Sequence, residues 1–130
     1  MTFNNDKAIK EIYQYVVSHF ETVKVKSGKC RYNFKCHMNA VHEAKKHKHK
    51  KIAMCVYMDD GQPIIHFINY RKGKFVDNTL GQWSKCNNYY FIKFIDKEDF
   101  WDVDVFFTAF RNDLGRKLNW WTRLTSDYRG

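Results

Sequence analysis

In the stretch FKCHMNAVHEAKKH, Phe34 to His47, a cysteine stands beside a histidine just where a helical pattern begins. Three roles are open to Cys36: nucleophile, metal ligand, or small buried apolar side chain. A cysteine early in a helix is biased toward thiolate, because the unpaired N–H groups and the dipole at that end favour negative charge. Lys29, Arg31 and Lys35, close by in sequence, push the same way. Amide or ester chemistry would then need a proton partner, normally a histidine, and a third group to orient it.

Both are offered by HFINYRKGKFVDNTLG. His66 falls on one strand, Lys72-Gly73 makes a tight turn, and Asp77 falls on the returning strand. A two- or four-residue loop centred there makes facing residue numbers sum to 145, so Ile68 opposes Asp77 and His66 opposes Thr79. His66 and Asp77 then share a face as diagonal neighbours within hydrogen-bonding reach. A three-residue loop would change the parity and bring Asn78 to that face instead. Either group could fix the imidazole tautomer, and Asp77 would also stabilise an imidazolium.

CHMNA, IIHFINY and GKFVDNTLG, in that order, resemble the papain-like and transglutaminase-like thiol enzymes, and also small proteins of that kind encoded by bacteriophages. The resemblance covers roughly Gly28 to Gly81. It implies Cys36 as nucleophile, His66 as general base and acid, and Asp77 as the group that orients His66. Papain carries an oxyanion-stabilising glutamine six residues before its cysteine. That place is Cys30 here, which leaves the role to another group, with Asn33 beside the Cys36 backbone N–H as the candidate. GKCRYNF has its own likeness to the transglutaminase-like cysteine segment and makes Cys30 the alternative nucleophile; Cys36 is favoured for its helix-start position.

Blander readings compete. Free cysteine is among the most buried residue types, so Cys36 could simply be core. Cys30, Cys36, His37, His42, His47 and His49 are enough ligands for zinc, but no C-x-x-C pair occurs and the spacings fit no usual finger, so no metal or other cofactor is expected. His37 and His42 are expected on the solvent side of their helix, and Cys55 and Cys86 in packing positions. Lys45, Lys46, Lys48, Lys50 and Lys51, with Arg116, Lys117 and Arg123 in the tail, form a candidate anion-binding set.

The elements that must position these residues are legible in outline. Ile9, Ile12, Tyr13, Val16, Val17 and Phe20 mark one face of a helix over Asp6 to Phe20. ETVKVKSGKCRYNF reads as an extended connector or short strand. A second helix fits Asn33 to Lys46, capped by Asn33, with Phe34, Met38, Val41 and Ala44 as its apolar stripe. KIAMCVYM, PIIHFINY, KFVDNTL and NNYYFIKFI read as strands, the first three an antiparallel meander. From Asp96 the pattern turns helical again, with Asp96 and Asp99 approximating a capping box, Phe100, Val103, Phe107, Phe110 and Leu114 at helical spacing, and Gly115 as the stop. The tail adds a short helical turn that packs Trp120 and Trp121 on the domain. The expected class is α+β, with an antiparallel sheet of about four strands packed by N-terminal, central and C-terminal helices in a papain/transglutaminase-like arrangement.

At 130 residues the chain is expected to be one domain, 1–130, with its papain/transglutaminase-like core at about 28–95. A hydrophobic content of 44% excludes general disorder despite a mean hydropathy of -0.66. No run approaches the roughly 18 apolar residues of a membrane span, and the opening MTFNNDKAIKEIYQYVV does not read as a secretory signal. A cytoplasmic protein with reduced thiols is the expectation, in the host cytoplasm if phage-encoded. Net charge +9 favours acidic partners. The expected partner is an acidic protein or peptide substrate, with nucleic acid as the alternative. The competing function is a non-catalytic basic binding protein on the same fold, a phage-encoded inhibitor or nucleic-acid-binding module.

Overall fold

The computed structural model describes residues 5–30, 35–46, 50–59, 61–81, 84, 88–96, 99 and 103–126. In chain order these form α1 (Asn5–His19), β1 (Thr22–Val23), β2 (Val25–Ser27), α2 (Cys36–Lys46), β3 (Lys51–Asp59), β4 (Gln62–Arg71), β5 (Lys74–Asp77), β6 (Tyr89–Ile95), α3 (Val103–Arg116) and α4 (Trp120–Leu124). The fold is α+β. No helix among the described residues is long and apolar enough to cross a membrane.

The hairpin that carries the candidate site follows from its turn. Lys72 and Gly73 both adopt positive φ, 49° and 80°, as a type I′ two-residue loop requires. Asn69 faces Val76, Tyr70 faces Phe75 and Arg71 faces Lys74, each pair summing to 145 as the sequence predicts. The three-residue alternative, which would have put Asn78 beside His66, is therefore not adopted.

The sheet differs from the expected four antiparallel strands. It has six, in the order β1-β6-β3-β4-β5-β2, and β2 runs parallel to β5. The connector read as an extended segment supplies both edges: β1 pairs with β6 and β2 with β5, though only Lys24 separates them in the chain. A flat sheet of six strands would hold its edges about 24 Å apart. Residues two apart in the chain span at most about 7 Å, so the sheet has to curl until it nearly closes. Gly28 allows the last step of this approach. Its N–H bonds Asp77 O at 2.9 Å, and a Cβ there would strike Asn78 Oδ1, with Val76 at 2.6 Å and Asp77 O at 2.9 Å.

Strand alternation separates two cores. Ile52, Met54, Val56 and Met58 of β3 face the helices, joining Ala8, Ile12 and Val16 of α1, Ala40 and Ala44 of α2, and Phe110 and Leu114 of α3. Ala53 and Cys55 point into the curl with Ile68 and Tyr89, flanked by Tyr57, Phe75 and Phe91. The α1 stripe is narrower than expected: Tyr13 and Val17 lie at its solvent margin.

Three further expectations change. The helix expected from Asn33 starts at Cys36, its first internal bond running from Asn39 N–H to Lys35 O at 2.9 Å, and its buried face is Asn39, Ala40, Glu43 and Ala44, with Met38 exposed. Gly115 does not stop α3, which continues to Arg116. Trp120 and Trp121 are 71% and 50% exposed and do not pack on the domain. The side-chain contacts of α4 with α1 are polar instead: Asn119 Nδ2 donates to Glu11 Oε1 at 3.0 Å and Thr122 Oγ1 to the same oxygen at 3.3 Å, while Asn119 Oδ1 caps α4 by accepting from Thr122 N–H at 2.8 Å. Asn33, Phe34, His47, Lys48, His49, Cys86 and Phe100 lie outside the described residues.

Candidate active site

Two polar ties hold α2 against the hairpin and a third braces the hairpin itself, and together they fix where the first residue of α2 sits. Asn39 Nδ2 donates to Thr79 Oγ1 at 3.0 Å, Asn69 Nδ2 to Ala40 O at 2.9 Å, and Asn78 Nδ2 to Asn69 Oδ1 at 2.9 Å. All four side chains are buried. Asn78, the alternative orienting residue, serves here as a strut, since its Oδ1 accepts from Lys29 N–H at 3.2 Å.

Further along α2, buried Glu43 receives Lys29 Nζ at 2.6 Å and Lys50 Nζ at 3.2 Å, clamping the helix to the segments on either side. Burial works against ionisation of Glu43, but the two lysines outweigh it and hold its pKa at about 2. A depressed carboxylate adds stability that is complete above its unfolded pKa, near 4.5, and is lost as pH falls toward about 2. In acid denaturation, Glu43→Gln is expected to remove part of the stability lost in this window; a variant with the wild-type acid profile would contradict the clamp.

With α2 so placed, Cys36, His66 and Asp77 meet. Asp77, at the end of β5, is fully buried and accepts four hydrogen bonds: from the N–H groups of Thr79 (2.8 Å) and Leu80 (2.9 Å) on Oδ1, and from Tyr89 Oη–H (2.6 Å) and His66 Nε2 (2.8 Å) on Oδ2. Burial would raise its pKa, but His66, the Tyr89 hydroxyl and the Leu80 N–H prevail and lower it. An acceptor on Nε2 fixes the tautomer and leaves Nδ1 as the ring nitrogen available to Cys36.

Cys36 hydrogen-bonds His66 and also accepts from the backbone N–H groups of Phe67 and His37. The β4–β5 ladder ends at the Asn69–Val76 pair, and past it the Phe67 N–H serves the sulfur. Burial opposes the Cys36 thiolate, yet the His66 hydrogen bond and charge, with the two amides, bring its pKa below the ordinary thiol value. His66 moves the other way. Burial disfavours its cation, but Asp77 and Cys36 raise its pKa to about 9. The two shifts run in the directions that favour a thiolate–imidazolium pair backed by a buried carboxylate, an arrangement suited to attack on an electrophilic carbon and to return of a proton to a leaving group.

The pair opens onto a cleft of about 690 Å³ lined by Cys36, His37, Tyr57, Asp59, Ile64, Ile65, His66, Phe67, Thr79, Leu80, Phe107 and Thr108. His37, expected on the solvent side of its helix, is part of this wall, because a helix that aims its first residue at a strand edge brings the second to the same rim. Phe107, expected in the helix stripe, is 40% exposed and faces the cleft. Tyr57 and Tyr89 escaped the sequence reading altogether. Tyr57 packs edge-on against His66, ring centroids 5.0 Å apart. A buried carboxylate does demand donors, but which strand lies beside it is not written in local pattern.

The other candidates are placed as follows. Cys30 is exposed and forms an isolated bridge with Leu80, and the cysteine that hydrogen-bonds His66 is Cys36. Cys55 is buried, its thiol donating to His66 O at 3.4 Å. The anion-binding set is dispersed: Lys50 is held by Glu43, Lys51 lies over the Phe94 ring, Arg116 pairs with Asp113 at 2.7 Å, and Lys117 lies over Tyr15. Lys45 and Lys46 are exposed at the end of α2, and Arg123 lies in the last turn of α4. Among the described residues no three His, Cys, Asp or Glu side chains are grouped to hold a metal ion. No protein-family model, curated protein or solved structure matches the chain, so the cleft has to be read from its own geometry.

Proposed function

We propose that the chain is a thiol-dependent acyl-transfer enzyme on a papain/transglutaminase-like fold, using Cys36 as nucleophile, His66 as general base and acid, and Asp77 to orient His66. The observation that carries this reading is a single buried imidazole held by Asp77 at 2.8 Å on one nitrogen and hydrogen-bonded to a helix-start thiol. A structural cysteine has no need of that relay.

In the proposed reaction the thiolate adds to an amide or ester carbonyl carbon, the C–S bond forming as the carbonyl π electrons move to oxygen. Collapse of that intermediate re-forms the carbonyl and expels the amine or alkoxide, which takes the proton from His66. Neutral His66 then draws a proton from the second acceptor as its oxygen or nitrogen attacks the thioester, and thiolate departs to restore the pair. Water makes the enzyme a hydrolase, and an amine makes it a transferase. Net charge +9 supports an acidic protein or peptide as the substrate, and the likeness to small phage proteins suggests an effector acting on a host protein.

The test is to mix the protein with p-nitrophenyl acetate, quench in acid and map the adduct by mass spectrometry. An acetyl thioester is expected on Cys36. Labelling of Cys30 in its place, or no adduct on either cysteine, would contradict the reading.

A further inference from the structure

Attack at a carbonyl leaves negative charge on its oxygen, and a water-poor cleft must supply donors for that charge. The Cys36 N–H is one source, since a residue in the first turn of a helix has no i−4 carbonyl to serve within that helix. The position six residues before the nucleophile offers no side-chain amide, because it is Cys30, turned to solvent.

Tyr57 meets the requirement in several independent ways. It is half-buried on β3 and lines the cleft together with Cys36. Its ring is set by edge contact with His66 and by Tyr89, whose centroid is 5.8 Å away. None of the described residues hydrogen-bonds its hydroxyl, which is therefore not committed to any of them. Burial first, then nearby Asp59 and Cys36, push its pKa up to about 12, so the hydroxyl keeps its proton throughout the neutral range. Tyr89, the other ring against His66, has its hydroxyl committed to Asp77.

We propose that the Tyr57 hydroxyl is the side-chain oxyanion donor of this cleft, hydrogen-bonding the former carbonyl oxygen opposite the Cys36 N–H. The proposal rests on the acyl-transfer reading and extends it by assigning a catalytic residue. No proton changes owner in this contact. The phenol donates a hydrogen bond that strengthens as charge develops on oxygen and relaxes when the carbonyl re-forms.

Two reactions of the same thiol separate this role from a structural one. Acetylation of Cys36 by p-nitrophenyl acetate passes through an oxyanion, whereas alkylation by iodoacetamide is a displacement at a saturated carbon and does not. In Tyr57→Phe, acetylation is expected to slow by about 10²–10³-fold, the usual effect of deleting one oxyanion donor, with alkylation of Cys36 and the melting temperature unchanged. Unchanged acetylation would overturn the proposal by showing that the ring alone matters. An equal loss in both reactions would also overturn it, placing Tyr57 on the thiolate instead. Wild-type protein that is alkylated but never acetylated would sink the parent acyl-transfer reading, and that outcome is seen before any variant is made.

Discussion

Cys36→Ala is expected to abolish both the acetyl thioester and the burst of p-nitrophenolate release, a fall on the order of 10⁴-fold or more, as nucleophile deletions in acyl-transfer enzymes produce. Cys30→Ala is expected to leave both at wild-type levels. The contrast follows from position. Cys36 is in the first turn of α2 with His66 and two backbone amides on its sulfur, whereas Cys30 faces solvent beside Leu80. The fold is expected to persist in Cys36→Ala, because the ties that dock α2 run through Asn39, Ala40 and Glu43 and are left in place. Retention of the burst in Cys36→Ala with its loss in Cys30→Ala would move the nucleophile to Cys30.

Two variants of Asp77 should divide its structural work from its chemical work. Asp77→Ala strips acceptors from two backbone N–H groups, the Tyr89 hydroxyl and a buried imidazolium. Breaking a buried, hydrogen-bonded charge pair in this way costs about 3–5 kcal/mol, read as a lower denaturant midpoint. Asp77→Asn can keep the Thr79 and Leu80 bonds on its remaining oxygen, but its amide then meets His66 and Tyr89 with a donor where both had an acceptor. Imidazole would answer by carrying its proton on the nitrogen that faces Cys36, and the support for imidazolium would be gone. Acetylation is expected to fall by about 10²–10⁴-fold in Asp77→Asn, with far less loss of stability than in Asp77→Ala. If Asp77→Asn stays fully active, Asp77 serves folding alone.

The sequence was most informative where local chemistry decides structure. The Lys72-Gly73 turn admits a two-residue loop, and a two-residue loop fixes the register, so the meeting of His66 with Asp77 could be worked out by parity. Helical spacing likewise marked α1 and α2. It was least informative where structure comes from partners distant in the chain. β1 and β2 are two and three residues long and have no period to detect; they exist because β6 and β5 stand ready to pair with them. The pairing of β6 with β3 likewise joins segments distant in the chain, and the curl of the sheet then brings Tyr89 of β6 to Asp77 of β5. The α2 stripe misled because its buried face is half polar: Asn39 and Glu43 are inside, their hydrogen-bonding needs met by residues that no helical spacing could name.

The ion pair itself is the centre of the account, and the pH dependence of Cys36 alkylation by iodoacetamide measures it directly. In the wild type the rate is expected to titrate with a midpoint below the ordinary thiol value of 9.0, because His66, cationic up to about pH 9, holds the thiolate. In His66→Ala the imidazolium is gone and burial acts on the thiol with less opposition, so the midpoint should climb toward that value or past it. Wild type and His66→Ala titrating together at an ordinary thiol midpoint would show that His66 does not reach Cys36, and would contradict the site.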